Sequence, residues 1–192
     1  MRNLLLILTI LSLAGAAQAD TVIGLFADED MNSCDAALIP YVPTLLYVVA
    51  YWDAGPLDDG ITAAEFKLDG LPQSDGYPLG TVTVNHTTDL VIGSVWTDYS
   101  AAWSEPQGVG AGQFTVCSLE LLMFDTIWVG VDQEVVVSPG NDCDCLVLVD
   151  AMFDVHDAVG GLFTLNCSAP PCNCFPPVAT ESTSWSNVKS LF

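Results

Sequence analysis

Basic residues are nearly missing from this chain: three Lys and Arg stand against 24 Asp and Glu, a formal net charge of −21. A phosphate-binding surface needs clustered cations, so nucleic acid is excluded as a partner, and an anionic membrane surface is disfavoured for the same reason. Catalytic signatures are missing too. Gly-x-Ser-x-Gly and Cys-x-x-Cys do not occur, and the only histidines are His86, in a Thr-rich stretch, and His156, beside Asp157. Ser186 and Lys189 have Ser-x-x-Lys spacing but no companion motif. Beyond the N-terminal leader, no apolar run approaches the ~20 residues that span a bilayer. Charged residues make up only 14% and hydrophobic ones 51%, the reverse of an intrinsically disordered chain.

The leader has the form of a secretory signal peptide over residues 1–19. Arg2 is its positive end, Leu4 to Ala14 its apolar stretch, and Ala17-Gln18-Ala19 a small-x-small cleavage site, leaving Asp20 as the mature N-terminus. The expected location is therefore secreted, extracellular or on the cell envelope, with no membrane span after cleavage. Export also governs the seven cysteines, because an oxidising compartment favours disulfides over thiolate chemistry. Seven is odd, so at least one stays unpaired within the chain. Disulfides are expected mainly among Cys143, Cys145, Cys167, Cys172 and Cys174, together with Cys34. Cys143 and Cys145 are too close in sequence to close an unstrained ring, so each is expected to pair elsewhere.

Between residues 20 and 168, ten short strand-like runs are separated by Gly, Pro, Asp and Asn. They are Thr21–Phe26, Leu45–Trp52, Ile61–Leu68, Thr81–Asn85, Leu90–Trp96, Gln113–Phe124, Ile127–Val131, Glu134–Val137, Leu146–Val149 and Leu162–Leu165. Many short strands with turn signals such as Asp59-Gly60, Asp69-Gly70 and Asp75-Gly76 indicate an all-β antiparallel sandwich or barrel. Ala101 to Glu105 reads as at most one helical turn. In the long run, Thr115, Cys117, Leu119, Leu121 and Met123 share one face, which places Cys117 toward the core as the candidate unpaired thiol. After Cys167 the texture changes. Residues 169–179 are a stiff Pro- and Cys-rich connector, and 180–192 are a polar tail carrying Trp185, Val188 and Leu191 at spacing three. That tail is expected to be a separable sorting or recognition segment, the alternative being a terminus docked on the domain.

Three stretches and a closing motif carry a resemblance. They are Gly24-Leu25-Phe26-Ala27-Asp28 before Cys34, Gly60 to Pro72, Cys145-Leu146-Val147-Leu148-Val149-Asp150, and Ser184 to Phe192 at the end. The chain resembles a group of uncharacterised secreted proteins of environmental bacteria that close on Trp-x-x-Val/Ile-Lys-x-Leu-aromatic. Val149 stands where those proteins tend to carry a cysteine, so their disulfide pattern is not carried over. The strands around Ile61 to Pro72 also resemble, at the level of fold, cohesin and carbohydrate-binding modules. The resemblance implies an immunoglobulin-like or cohesin-like β-sandwich and transfers no binding residues.

Two constellations remain for function. Asp28, Asp30 and Asn32 put oxygen donors at alternate positions, as the start of a calcium loop does, although Ser33 and Ile39 rule out an EF-hand. Calcium needs only six to eight or so converging hard oxygens, which Asp53, Asp58 and Asp59, or Asp142 and Asp144, or Asp150, Asp154 and Asp157 could also supply. The plainer reading of each is a solvated acidic surface. No other cofactor is expected. Trp96, Tyr99 and Trp103 could form an aromatic platform for a sugar, or else cover one end of the core. The reading that follows is a non-catalytic binding or structural module whose partner is an extracellular protein or polysaccharide. The alternatives are a carbohydrate-binding module on the aromatic platform and a secreted hydrolase with a carboxylate pair.

Overall fold

The structure is a computed structural model and describes residues 21–52, 55–72, 80–125, 130–168 and 172. The leader, the tail 180–192, Asp53 and Cys174 lie outside the described residues, as does the connector apart from Cys172.

Thirteen strands and no helix occupy the described residues. One sheet orders β12 (Val159–Gly160), β1 (Val22–Phe26), β3 (Thr44–Tyr51), β8 (Gln113–Met123) and β5 (Gly80–His86) side by side. The other orders β11 (Val155–Asp157), β10 (Val147–Asp150), β4 (Ile61–Asp69), β9 (Gln133–Ser138), β13 (Leu162–Leu165) and β2 (Asp35–Ala36). The hairpin of β6 (Leu90–Ser94) and β7 (Asp98–Gln107) joins this second sheet through β7 and β4. β4 therefore changes partners along its length: β10 and β7 flank Ile61 to Phe66, and β9 pairs with Lys67 to Asp69. All pairings are antiparallel except two short ones, β1 with β12 and β13 with β2.

Alternation decides what the sheets bury. Ala64, Phe66 and Leu68 of β4 and Cys117, Leu119, Leu121 and Met123 of β8 are all sealed from water in one core cluster with Tyr99, Trp103, Val135 and Phe163. Each large apolar side chain so buried is worth roughly 1.5–3 kcal/mol. The two sheets close face to face on this cluster as a β-sandwich. Val116 is buried as well, out of phase with its neighbours, because the β3–β8 register shifts at Val48/Val49.

Two expectations need correction. Residues 101–105 are not a turn of helix but the middle of β7, where Tyr99, Ala101 and Trp103 alternate inward. Cys143 and Cys145 do not pair elsewhere; they pair with each other, their Cα atoms 5.1 Å apart. Asp144 between them adopts a left-handed conformation (φ 55°), so the pair is joined across a turn rather than along extended backbone. Cys167 pairs with Cys172. Cys34 is also disulfide-bonded and lies with its sulfur 3.1 Å from the Cys172 carbonyl oxygen. Cys117 is the free, buried thiol among the described residues.

Candidate functional site

The register of the second sheet sets up a surface that the sequence reading did not single out. Val155 of β11 pairs with Val149 of β10, Val149 with Ala63 of β4, Ala63 with Ala102 of β7, and Ala102 with Leu90 of β6. Directly paired residues point to the same side of a sheet, so these five form one apolar row across five strands. The next row runs Asp157, Val147, Glu65, Ser100 and Ile92. Both rows face away from the core, because their chain neighbours Ala64, Phe66, Ala101 and Leu148 are the buried ones. Small residues in the middle and large ones at the sides leave a shallow hollow of about 130 Å³, floored by Ala63, Ala102 and Ser100. Leu90 and Ile92 on its margins and Val155 at the far end of the row are 55%, 63% and 64% exposed, an unusual amount of aliphatic surface for one sheet face.

Beside this face, the β10–β11 turn projects Met152 and Phe153, both about three-quarters exposed. Asp150 holds the turn. Its Oδ1 accepts the amide N–H groups of Met152 (2.7 Å) and Asp154 (2.9 Å), and its Oδ2 lies 2.9 Å from His156 Nε2. The His156 contact, opposed by burial and helped by the two amides, holds the Asp150 carboxyl below the usual carboxylate range. Asp150 is thus engaged within its own turn rather than free to converge with Asp154 and Asp157.

Asp28, Asp30 and Asn32 lie in the turn after β1. Asp28 Oδ1 accepts the Asn32 amide at 3.0 Å, and Met31 takes a left-handed φ of 59°. Asp30 and Asn32 are exposed. The aromatic trio is not an exposed platform. Tyr99 is 1% and Trp103 7% exposed, and Trp96 is partly buried against the same core. Tyr99 packs on Phe66 (ring centroids 5.0 Å apart) and stacks on His86, whose Nδ1 meets its hydroxyl at 2.8 Å. Trp103 meets Phe114 edge-on at 5.2 Å and donates its indole N–H to the Thr87 carbonyl at 3.0 Å. Inward alternation on β7 swallows Tyr99 and Trp103, while Trp96 packs against the core from the turn before it. Burial pushes the Cys117 thiol up to about 12, and burial with the neighbouring Cys117 raises the Tyr99 hydroxyl, so neither is poised for chemistry at neutral pH.

A second cluster sits along the same outer face. Glu65 Oε1 lies 2.7 Å from Cys143 Sγ, and the Glu65, Cys143 and Cys145 donor atoms all fall within 4.8 Å of one another.

No family profile and no curated protein matches the chain. Among solved structures, the sixth cohesin of scaffoldin B from Acetivibrio cellulolyticus, solved in complex with a Cel5 dockerin mutant, is similar with a TM-score of 0.42 and 13% identity. The match covers 78% of this chain and 99% of that one.

Proposed function

We propose that this chain is a secreted, non-catalytic binding module, and that its recognition surface is the outer face of β11, β10, β4, β7 and β6. The observation that carries the reading is the apolar row from Val155 through Val149, Ala63 and Ala102 to Leu90, with Ile92 beside it. Exposed aliphatic surface of this kind costs solubility unless something covers it in use. The floor carries no aromatic ring to stack on a sugar, so an extracellular protein fits it better than a polysaccharide. The surrounding acidity favours a partner with a basic rim and an apolar anchor that fills the hollow. The extracellular setting is supported by the leader over residues 1–19 and by the disulfides.

The test is to immobilise the mature chain and the Leu90→Asp/Ile92→Asp variant and expose both to the secreted proteins of the producing cell. The wild type should retain a defined protein, and the variant should lose at least tenfold of that retention while melting at the same temperature. Equal retention by both, or retention of soluble polysaccharide in place of protein, would rule the reading out.

A further inference from the structure

Glu65, Cys143 and Cys145 meet where the segment after β9 folds back over the outer face of β4 and β7, and Asp98 lies under the same segment. That segment is fixed by its backbone. Gly140 N–H donates to the Cys145 carbonyl (2.8 Å), Asn141 N–H to the Thr97 carbonyl (2.9 Å), and Asp142 N–H to Asp98 Oδ2 (2.9 Å). Lys67 Nζ donates to Asn141 Oδ1 at 2.9 Å. Beneath it, Asp98 Oδ1 is sealed from solvent and has no hydrogen-bond partner. A carboxylate oxygen in that condition costs free energy unless a cation or donor meets it. Gly140 permits a close approach here: a Cβ there would run into Asp98 Oδ1 and lie 3.3 Å from Glu65 Oε1. Gly140 is therefore flanked by both carboxylates, and Glu65 reaches on to the two sulfurs.

The bridge between those sulfurs is unlike a structural staple. It spans two residues, so closing it removes little chain entropy from the unfolded state, and Cys143 is exposed. Exposed bridges are the ones that small thiols reach and exchange.

We propose that Glu65, Asp98, Cys143 and Cys145 form a redox-gated site for a zinc-class divalent cation, open when the Cys143–Cys145 bridge is reduced. Two molecules of a low-molecular-weight thiol supply two electrons and two protons. The Cys143–Cys145 S–S bond breaks, both cysteines become thiols, and the small thiols leave joined as one disulfide. The cation then displaces the two thiol protons and takes two sulfur and two carboxylate donors. Zinc accepts this mixed set in tetrahedral geometry, with bonds near ~2.3 Å to sulfur and ~2.0–2.2 Å to oxygen. The Glu65, Cys143 and Cys145 donor atoms already lie within 4.8 Å of one another, the two sulfurs separate once their bond is broken, and Asp98 closes in as the fourth donor. Calcium and magnesium prefer all-oxygen shells and are disfavoured by the sulfurs. The site does not rest on the recognition reading, since serine at both cysteines leaves the floor of the hollow intact.

The experiment uses the full mature chain, reduced with a phosphine, desalted without oxygen and titrated with cadmium as a spectroscopic stand-in for zinc. The reduced wild type should take up one cadmium ion with a thiolate charge-transfer band, and the unreduced protein should show none. Cys143→Ser/Cys145→Ser should remove that band, while Glu65→Gln and Asp98→Asn should each weaken binding about tenfold or more. Should Asp98→Asn fail to fold, Glu65→Gln carries the carboxylate arm. The proposal is overturned if the double-serine variant binds like the wild type, because the metal would then sit on thiols freed elsewhere. It is equally overturned if the unreduced protein binds as tightly, or if neither carboxylate substitution changes affinity.

Discussion

Asp150 is 5% exposed, and three donors converge on its carboxylate. Its folded-state pKa lies below the unfolded value of 3.8, so the stability it contributes is present above that pH and is lost as the pH falls through the folded value. Asp150→Ala should cost about 2 kcal/mol at pH 7, from the lost charge-assisted bonds. The penalty should shrink toward zero in urea unfolding series run well below pH 4 or so, where the wild-type carboxylate is itself protonated. A penalty independent of pH would mean that shape, not charge, holds the turn. Asp150 was legible only as one acid among several, because nothing in the sequence fixes which amides turn back upon it. Cys117 was legible, because strict alternation in a long strand assigns a face to every residue. Cys143 and Cys145 were misread, because ring strain was judged for extended backbone, whereas the segment turns at the left-handed Asp144.

At the scale of the element, strands β1, β3, β4, β8 and β13 were all visible as apolar runs, and their ends differ from expectation by no more than a residue or so. β7 was not. Its centre, Ser100-Ala101-Ala102, carries small side chains and none of the branched residues that mark strands, although β4 and β6 pair with both its edges. The same smallness produces the hollow, so the property that hid the strand also hid the candidate recognition face. The β6–β7 hairpin rests on Gly93, whose φ of +81° belongs to the left-handed region and whose Cβ would collide with the Asp98 carbonyl oxygen. Gly93→Ala should destabilise the domain by more than about 1 kcal/mol and should speed amide exchange in Leu90 to Ser94 before other strands. Unchanged exchange there would show that the hairpin does not depend on this close approach.

For the whole molecule, the sandwich was legible from the count and spacing of strands, whereas the order of strands within each sheet was not, because pairing between distant segments leaves no local mark. Charge belongs to this scale as well. Lys67 is the only Lys or Arg among the described residues, so self-repulsion within the acidic surface is nearly unopposed. Added sodium chloride should raise the melting temperature by screening. Calcium at millimolar level should raise it further than equal magnesium if Asp28, Asp30 and Asn32 gather an ion, and Asp30→Asn should abolish the difference; equal shifts would leave screening as the whole effect. The short parallel contact at the sheet edge has a consequence in time. Val22 and Ile23 at the start of the domain pair with Val159 and Gly160 near its end. A chain that emerges N-terminus first, from a ribosome or through a translocation channel, thus holds its opening strand with one side unmatched until almost every other strand has appeared. Completion of the first sheet is deferred to the close of synthesis.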